Sequence, residues 1–296
     1  MQPKYLPQYV QGNPDLGIGG YDLRSPNDKG DPINGIGGYD LKSRDDRVFA
    51  LDYDSSGKRD HLALYRPEIG IFWILKNDEG VFSPVYRQGD PDDGIGGYTL
   101  NSVADQAFAF NYDSTEEQDH IALYRPGLGL GIGGYDPKSS DDLAFVFDYD
   151  GSGKQDYMAL YRPETGIFWI LKNDRGSFTP VYTQGTSEYG SRISGYDLRS
   201  KDDRAFAYDF SGSGKLDHLV LYKPGKGVIF IIANQSGVLA ALYYQGEPGL
   251  GVGGCHLNST ADKAFALVGR AKDEPGRIVL YRPEAGEIAV VAPKQA

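Results

Sequence analysis

The chain has 296 residues, a formal net charge of −11 and a single cysteine, with 22 tyrosines and 40 glycines. The acidic balance argues against general nucleic-acid binding, which needs a basic footprint, and one cysteine, Cys255, excludes an intrachain disulfide. No apolar run reaches the length of a membrane span, and Met1–Tyr9 lacks the hydrophobic core of a signal peptide.

One unit recurs along the chain, so the fold must be read as an array. The phase marks are Tyr21, Tyr39, Tyr98, Tyr135 and Tyr196, each after a Gly-Gly or Ser-Gly pair, with Cys255 in the equivalent place. They lie 18, 59, 37, 61 and 59 residues apart. A period of about 59 residues leaves the first interval short by about 41 and the third by about 22. The units are therefore 1–34 (truncated), 35–93, 94–130 (truncated), 131–191, 192–250 and 251–296, in one domain spanning 1–296.

In the unit 35–93 the elements follow in a fixed order. The Gly-Gly-Tyr39 segment and the pair Ser43/Asp46 precede an apolar, β-prone stretch, Arg47–Asp52. The acidic run Asp52–Asp60 is a loop. His61–Tyr65 alternates as a second strand and ends in Leu-Tyr-Arg-Pro; Ile71–Leu75 is a third, and Asn77–Gly80 closes a hairpin into a fourth, Val81–Arg87. No stretch shows sustained helical periodicity. The second short unit jumps from Leu123-Tyr-Arg-Pro directly to the next Gly-Gly-Tyr and so lacks the third and fourth strands.

Four short antiparallel strands followed by a Gly-rich connection make a propeller blade. The expected fold is all-β, a β-propeller of about five blades with one incomplete, derived from a parent array of six. Tyr5–Gly12 matches the fourth strand Phe82–Gly89, while the chain ends on a third strand, Glu287–Val291. Residues 5–11 should therefore complete the last blade and close the ring, removing an exposed edge.

The acidic loops carry the clearest chemistry. A hard cation such as calcium takes six to eight oxygens from a tightly wrapped chain. In the first loop the oxygens fall at positions one, three, five and nine, on Asp52, Asp54, Ser56 and Asp60, with the carbonyl of Lys58 at position seven and Gly57 free to take positive φ. Asp148, Asp150, Ser152, Lys154 and Asp156 repeat the set. Asp209, Ser211, Ser213, Lys215 and Asp217 have one carboxylate fewer, which should weaken binding. Asn111, Asp113, Thr115 and Asp119 keep oxygens but have Glu116 where the glycine belongs; Val268–Asp273 has lost the set. Position twelve, Ala63 or Ala159, is not acidic, so the loops are not EF-hands. The competing reading is an Asp/Gly/Ser-rich turn without a metal. A cation that fastens a blade loop is favoured over a catalytic one, because no nucleophile or base stands nearby at fixed spacing.

The run Asp148–Leu171, Asp-Tyr-Asp-Gly-Ser-Gly-Lys-Gln-Asp followed by Tyr-Met-Ala-Leu-Tyr-Arg-Pro, resembles the FG-GAP/VCBS repeats of integrin-α-like propellers. The resemblance extends over four or five units. It implies a propeller with structural Ca²⁺ in the blade loops, an extracellular setting, and a role in adhesion, carbohydrate binding or partner binding, as in calcium-binding propeller lectins. The chain departs from the family pattern in its two shortened units.

Other repeated residues have two readings each. Ser-x-x-Asp (Ser25/Asp28, Ser43/Asp46, Ser102/Asp105, Ser139/Asp142, Ser200/Asp203, Ser259/Asp262) is either a self-bonded turn or part of a ligand pocket between blades. In the second case Tyr39, Tyr98, Tyr135 and Tyr196 would stack on a sugar, with Asp46, Asp105, Asp142, Asp203, Arg66 and Arg162 on its hydroxyls. Trp73 and Trp169, replaced by Phe230 in a third unit, read as packing between blades. His61, His120 and His218 follow the last loop aspartate, but Tyr157 takes that place in the third loop, which argues against a histidine ligand or base. No Ser-His-Asp, paired-carboxylate or phosphate-loop arrangement is present, and the Gly-Gly-Tyr runs are not a dinucleotide fingerprint, since no helix follows them. No catalytic residue is assigned. The expected function is a calcium-stabilised module that binds a glycan or a protein surface. The alternatives are a hydrolase or lyase with its active site in the central pocket, or the accessory domain of a larger secreted enzyme.

Overall fold

The computed structural model describes residues 5–11, 36–40, 43, 45–88, 95–113, 115, 118–129, 131–185, 192–246, 249–267 and 274–294. Tyr21, Ser25, Asp28, Glu116 and the segment 268–273 lie outside them.

Four sheets have four antiparallel strands each. Residues Tyr5–Gln11 form β1. The first complete sheet is β2 (Arg47–Leu51), β3 (His61–Arg66), β4 (Ile71–Asp78) and β5 (Val81–Gln88). Among its described residues the short unit contributes two strands, β6 (Gln106–Phe110) and β7 (His120–Tyr124). Next come β8 (Leu143–Phe147), β9 (Tyr157–Arg162), β10 (Ile167–Asp174) and β11 (Ser177–Gln184). A small hairpin, β12 (Arg192–Ile193) and β13 (Tyr196–Asp197), leads into β14 (Arg204–Tyr208), β15 (His218–Lys223), β16 (Val228–Gln235) and β17 (Val238–Gln245). The last sheet is β18 (Lys263–Leu267), β19 (Arg277–Arg282) and β20 (Glu287–Pro293), with a 3-10 turn at Pro283–Ala285. The fold is an all-β propeller of four whole blades and one incomplete blade.

The N-terminal strand does what its sequence predicts. β1 pairs antiparallel with β20, Tyr5 opposite Pro293 and Gln11 opposite Ile288, and so supplies the fourth strand of the last blade. This covers the edge that β20 would otherwise present.

Two details of the blade differ from the sequence reading. The third strand runs on to Asp78, and the hairpin narrows to Glu79-Gly80, with Asp78 opposite Val81. Both turn residues have positive φ (50° and 92°), the two-residue geometry that matches strand twist. The fourth strand also has a bulge. Ile74 faces Tyr86 but Leu75 faces Pro84, so Val85 is the extra residue. A proline has no N–H for the ladder and is tolerated on such an edge strand. The same register shift recurs opposite Pro180 in β11.

The phase marks at Tyr39, Tyr98, Tyr135, Tyr196 and Cys255 are miniature hairpins. Ile36 bridges Tyr39 around Gly37 and Gly38, whose φ values are 54° and 86°. A Cβ at Gly37 would meet the Leu75 side chain and the Phe82 carbonyl at 3.0–3.1 Å, so glycine is needed here for space as well as conformation.

The cores lie between neighbouring sheets. One cluster joins Phe147, Tyr161 and Phe168 of one blade to Leu219, Leu221 and Phe230 of the next; another joins Tyr208, Tyr222 and Ile229 to Ile278, Leu280 and Val291. The last residue of four inner strands is buried by the following sheet: Leu51, Phe147 and Tyr208 are 0% exposed and Phe110 is 3%. Burying each is worth roughly 1.5–3 kcal/mol. The counterpart Leu267 in β18 is 46% exposed, and Val48 at the other end of the succession is 59% exposed.

Candidate metal centre

Four inner strands, β2, β6, β8 and β14, run into an acidic loop, so the loops gather at one rim of the propeller. Neighbouring loops are stitched together through the backbone: Asp52 N donates to Gln118 O at 3.1 Å, Asp148 N to Leu216 O at 3.0 Å, and Gly276 N to Asp209 O at 2.8 Å.

The first aspartate of each loop wraps the loop around itself. Asp52 is 1% exposed. Its Oδ1 accepts from Ser56 N at 2.9 Å and its Oδ2 from Gly57 N at 2.6 Å. Asp148 takes Ser152 N (3.0 Å) and Gly153 N (2.8 Å), and Asp209 takes Ser213 N (3.1 Å) and Gly214 N (2.8 Å). The glycine at position six has positive φ in all three, at 78°, 92° and 79°. Position four is also left-handed, as Ser55 (φ 54°), Gly151 (φ 68°) and Gly212 (φ 78°). Asn111 heads the loop that lacks the glycine, and both polar atoms of its buried side chain are without a hydrogen-bond partner.

These donor sets fit a cation. A carboxylate oxygen that accepts one backbone N–H retains acceptor capacity. Burial pushes the Asp148 carboxyl up to about 6, and the neighbouring charges of Asp150 and Asp217 add to it, although the Gly153 N–H opposes the shift. A bound cation would relieve that repulsion. Asp150 stays below the usual carboxylate range: burial acts to raise it, but hydrogen bonds from Ser152 and Tyr157 prevail. Asp54 is held down to about 2 by hydrogen bonds from Ser56 and Lys76. The remaining sequence-derived donors, Lys58, Lys154 and Lys215 through their carbonyls and Ser211 through its hydroxyl, lie on the same loops. The Lys215 ammonium reaches across to the Gly151 carbonyl at 2.5 Å.

Side chains also converge that the sequence reading kept apart. Ligand atoms of Asp54, Asp60 and His61 lie within 4.8 Å of one another, as do those of Asp113, Asp119 and His120. Tyr157 in the place of His61 argues against a histidine ligand, yet Tyr157 turns its hydroxyl onto Asp150 at 2.9 Å. The substitute is thus a polar partner of the loop as well. The signal available in the sequence was adjacency: a histidine directly follows the last aspartate in three loops.

The second repeated set is a clasp at the base of each blade. Asp46 Oδ1 accepts from the Tyr39 hydroxyl (2.8 Å) and Arg66 Nε (2.7 Å), and its Oδ2 from Ser43 N (3.0 Å) and Arg66 Nη2 (2.9 Å). Arg125 grips Asp105 with two bonds of 2.6 Å, and Arg162 grips Asp142 at 2.6 and 2.8 Å. Tyr98, Tyr135 and Tyr196 donate to Asp105, Asp142 and Asp203. Each of the three arginines also lies over its tyrosine ring, 4.9–5.6 Å from the centroid. Burial, followed by the Asp46 hydrogen bond, pushes the Tyr39 phenol well above its ordinary range. Lys223 is the weaker member, 3.8 Å from Asp203. Trp73, Trp169 and Phe230 meet Tyr39, Tyr135 and Tyr196 edge-on at 5.3–5.8 Å.

A cavity of about 490 Å³ opens where the inner strands begin, at the end opposite the loops; its lining includes Arg47, Gln106, Ser140, Asp141, Lys201 and Arg204. Arg47 and Gln106 bridge to the next unit there, donating to the carbonyls of Asp105 (2.8 Å) and Asp142 (2.7 Å).

No family model matches the chain, and no curated protein matches it. Among solved structures, a candidate 6-phosphogluconolactonase from Bacteroides fragilis is 12% identical with a TM-score of 0.22, over 66% of this chain and 36% of its own. Its counterpart from Bacteroides uniformis is 12% identical, TM-score 0.36, over 83% and 71%. The Cps50 (Swd1) β-propeller domain of Myceliophteria thermophila is 9% identical, TM-score 0.36, over 80% and 81%. The chain spans about a third of the length of the Bacteroides fragilis protein, and likenesses this distant do not bear on activity.

Proposed function

We propose that the chain is a non-catalytic propeller module of the FG-GAP/VCBS kind, whose loop rim is fastened by calcium and which docks a glycan or a protein surface. The observation that carries this reading is the disposition of the repeated polar residues. Tyr39, Asp46 and Arg66 and their counterparts bond to one another and hold the blade, and the acidic loops bond to themselves and to the next loop. Such arrangements support a scaffold more directly than a reaction centre. The cavity at the strand starts offers a ligand cationic groups from Arg47, Lys201 and Arg204. On the opposite rim Tyr53 and Tyr112 are 42% and 41% exposed and offer ring faces of the kind that pack on sugars. Among the described residues no helix is long and apolar enough to cross a membrane.

A glycan array, with and without EDTA, tests the reading. Binding should be found in calcium and should weaken in Tyr53→Ala/Tyr112→Ala or in Arg47→Ala/Arg204→Ala, according to which face docks. Turnover of a substrate in an activity screen, with no glycan or protein ligand retained, would replace it with the enzymatic alternative.

A further inference from the structure

Loops one and two contain a nitrogen donor that a calcium site does not call for. His61 is 2% exposed, and its Nδ1 lies 2.7 Å from Asp60 Oδ1. The two atoms are not aligned for a hydrogen bond, and each is buried without any other hydrogen-bond partner. Asp54 completes the group. Two buried polar atoms in close contact but without hydrogen-bond geometry form the kind of pocket that a shared cation satisfies. The imidazole is held in place by the Tyr53 ring, 5.6 Å away, and in the second loop the Tyr112 ring stands 5.5 Å from His120.

The two groups differ in what now neutralises them. In loop one Lys76, from the third strand, reaches Asp54 Oδ2 at 3.1 Å. The short unit has only two strands among its described residues, so no third-strand lysine corresponds to Lys76 over Asp113. Asp119 Oδ2 instead accepts the Ser55 hydroxyl of loop one at 2.8 Å, and Asp119 Oδ1 is hydrogen-bonded to Nδ1 of His120, whose side chain is 42% exposed, so the second group lacks the buried, unpartnered atoms of the first. In loop three the position is Tyr157, and in loop four Asp217 and His218 remain but Ser211 replaces the middle aspartate.

Calcium takes oxygen ligands, whereas one imidazole with two carboxylates suits first-row ions such as zinc. We infer that Asp54–Asp60–His61 is a site for a divalent transition ion of the zinc class, with water completing the coordination. Loop three keeps the all-oxygen set. The inference rests on reading the loops as cation loops but does not require that calcium bind any of them.

The test uses the whole chain after chelator treatment and exchange into metal-free buffer. Zinc and calcium are titrated separately, with heat of binding and melting temperature as readouts, and Co²⁺ serves as an absorbing probe. The variant is His61→Tyr, because tyrosine already occupies that place in loop three. Wild type should take zinc at one site and show the visible bands of nitrogen-bound Co²⁺. The variant should lose zinc affinity by more than about tenfold, with its metal-free melting temperature retained. Histidine ¹⁵N signals should shift on zinc addition for His61 and stay in place for His256. Equal zinc affinity in wild type and variant, or no shift at His61, would overturn the assignment. A calcium response without zinc binding would overturn it while leaving the calcium reading intact; zinc binding without a calcium response would do the reverse.

Discussion

Asp142 is the residue on which the blade clasp can be weighed. It is 0% exposed and accepts from Arg162 at 2.6 and 2.8 Å and from the Tyr135 hydroxyl at 3.0 Å. Asp142→Ala would leave the guanidinium, whose side chain is 17% exposed, with the Asp136 carbonyl as its remaining hydrogen-bond acceptor. Removing one partner of a buried pair costs about 3–5 kcal/mol. The partial exposure of Arg162 places the loss near the lower end, about 3 kcal/mol. At about 2–4 °C per kcal/mol for a large domain, the melting temperature should fall by roughly 6–12 °C. Arg162→Lys is the graded control, since Lys223 holds Asp203 in that manner at 3.8 Å. It should cost about 1–2 kcal/mol, the loss of one charge-assisted bond. Urea unfolding followed by tryptophan fluorescence measures both, because Trp169 abuts Tyr135. A loss under about 1 kcal/mol for Asp142→Ala, or equal losses for the two variants, would show that the clasp does not hold the blade.

The other expectations concern the rim and the closure. Asp150→Ala should lower the melting temperature in calcium and change it little in EDTA, since an ion at a hundredfold excess over its dissociation constant contributes about 2.7 kcal/mol; equal losses in both buffers would remove the metal. Because the folded Asp148 carboxyl titrates at about 6 against an ordinary 3.8, the folded state binds the extra proton. Its contribution to metal-free stability should therefore fall as pH rises from about 4 to about 6. Chemical denaturation across that window should show the slope, and Asp148→Asn should flatten it. Deleting residues 1–11 removes β1 and bares the edge of β20. The shortened chain should lose the cooperative melt and associate through that edge, as sedimentation would show; a monomer with unchanged melting would mean that β1 does not close the blade.

Much of this architecture is local and therefore legible in the sequence. Alternation in His61–Tyr65, the Gly-Gly hairpins, the acidic loops and the match of Tyr5–Gly12 to a fourth strand each depend on residues within a few positions, or on one unit copied into the next. Those features determined the strands, the missing third and fourth strands of the short unit, and the partner of β1. Even the left-handed residue at position six of loops one, three and four could be named from its glycine, although Ser55 at position four could not, since a serine seldom signals positive φ.

Only the tertiary structure decided what the repeated side chains meet. Asp46 is bonded by a tyrosine seven residues before it and an arginine twenty residues after it. Those separations mean nothing until two strands and a hairpin fold back to the same point. The same holds for His61, whose imidazole reaches Asp54 because the loop between them curls on Asp52. Strand period and turn type are dictated by backbone sterics and can be read along the chain. The partner of a buried charge is set by which groups share a desolvated space, and that space exists only once neighbouring sheets have packed.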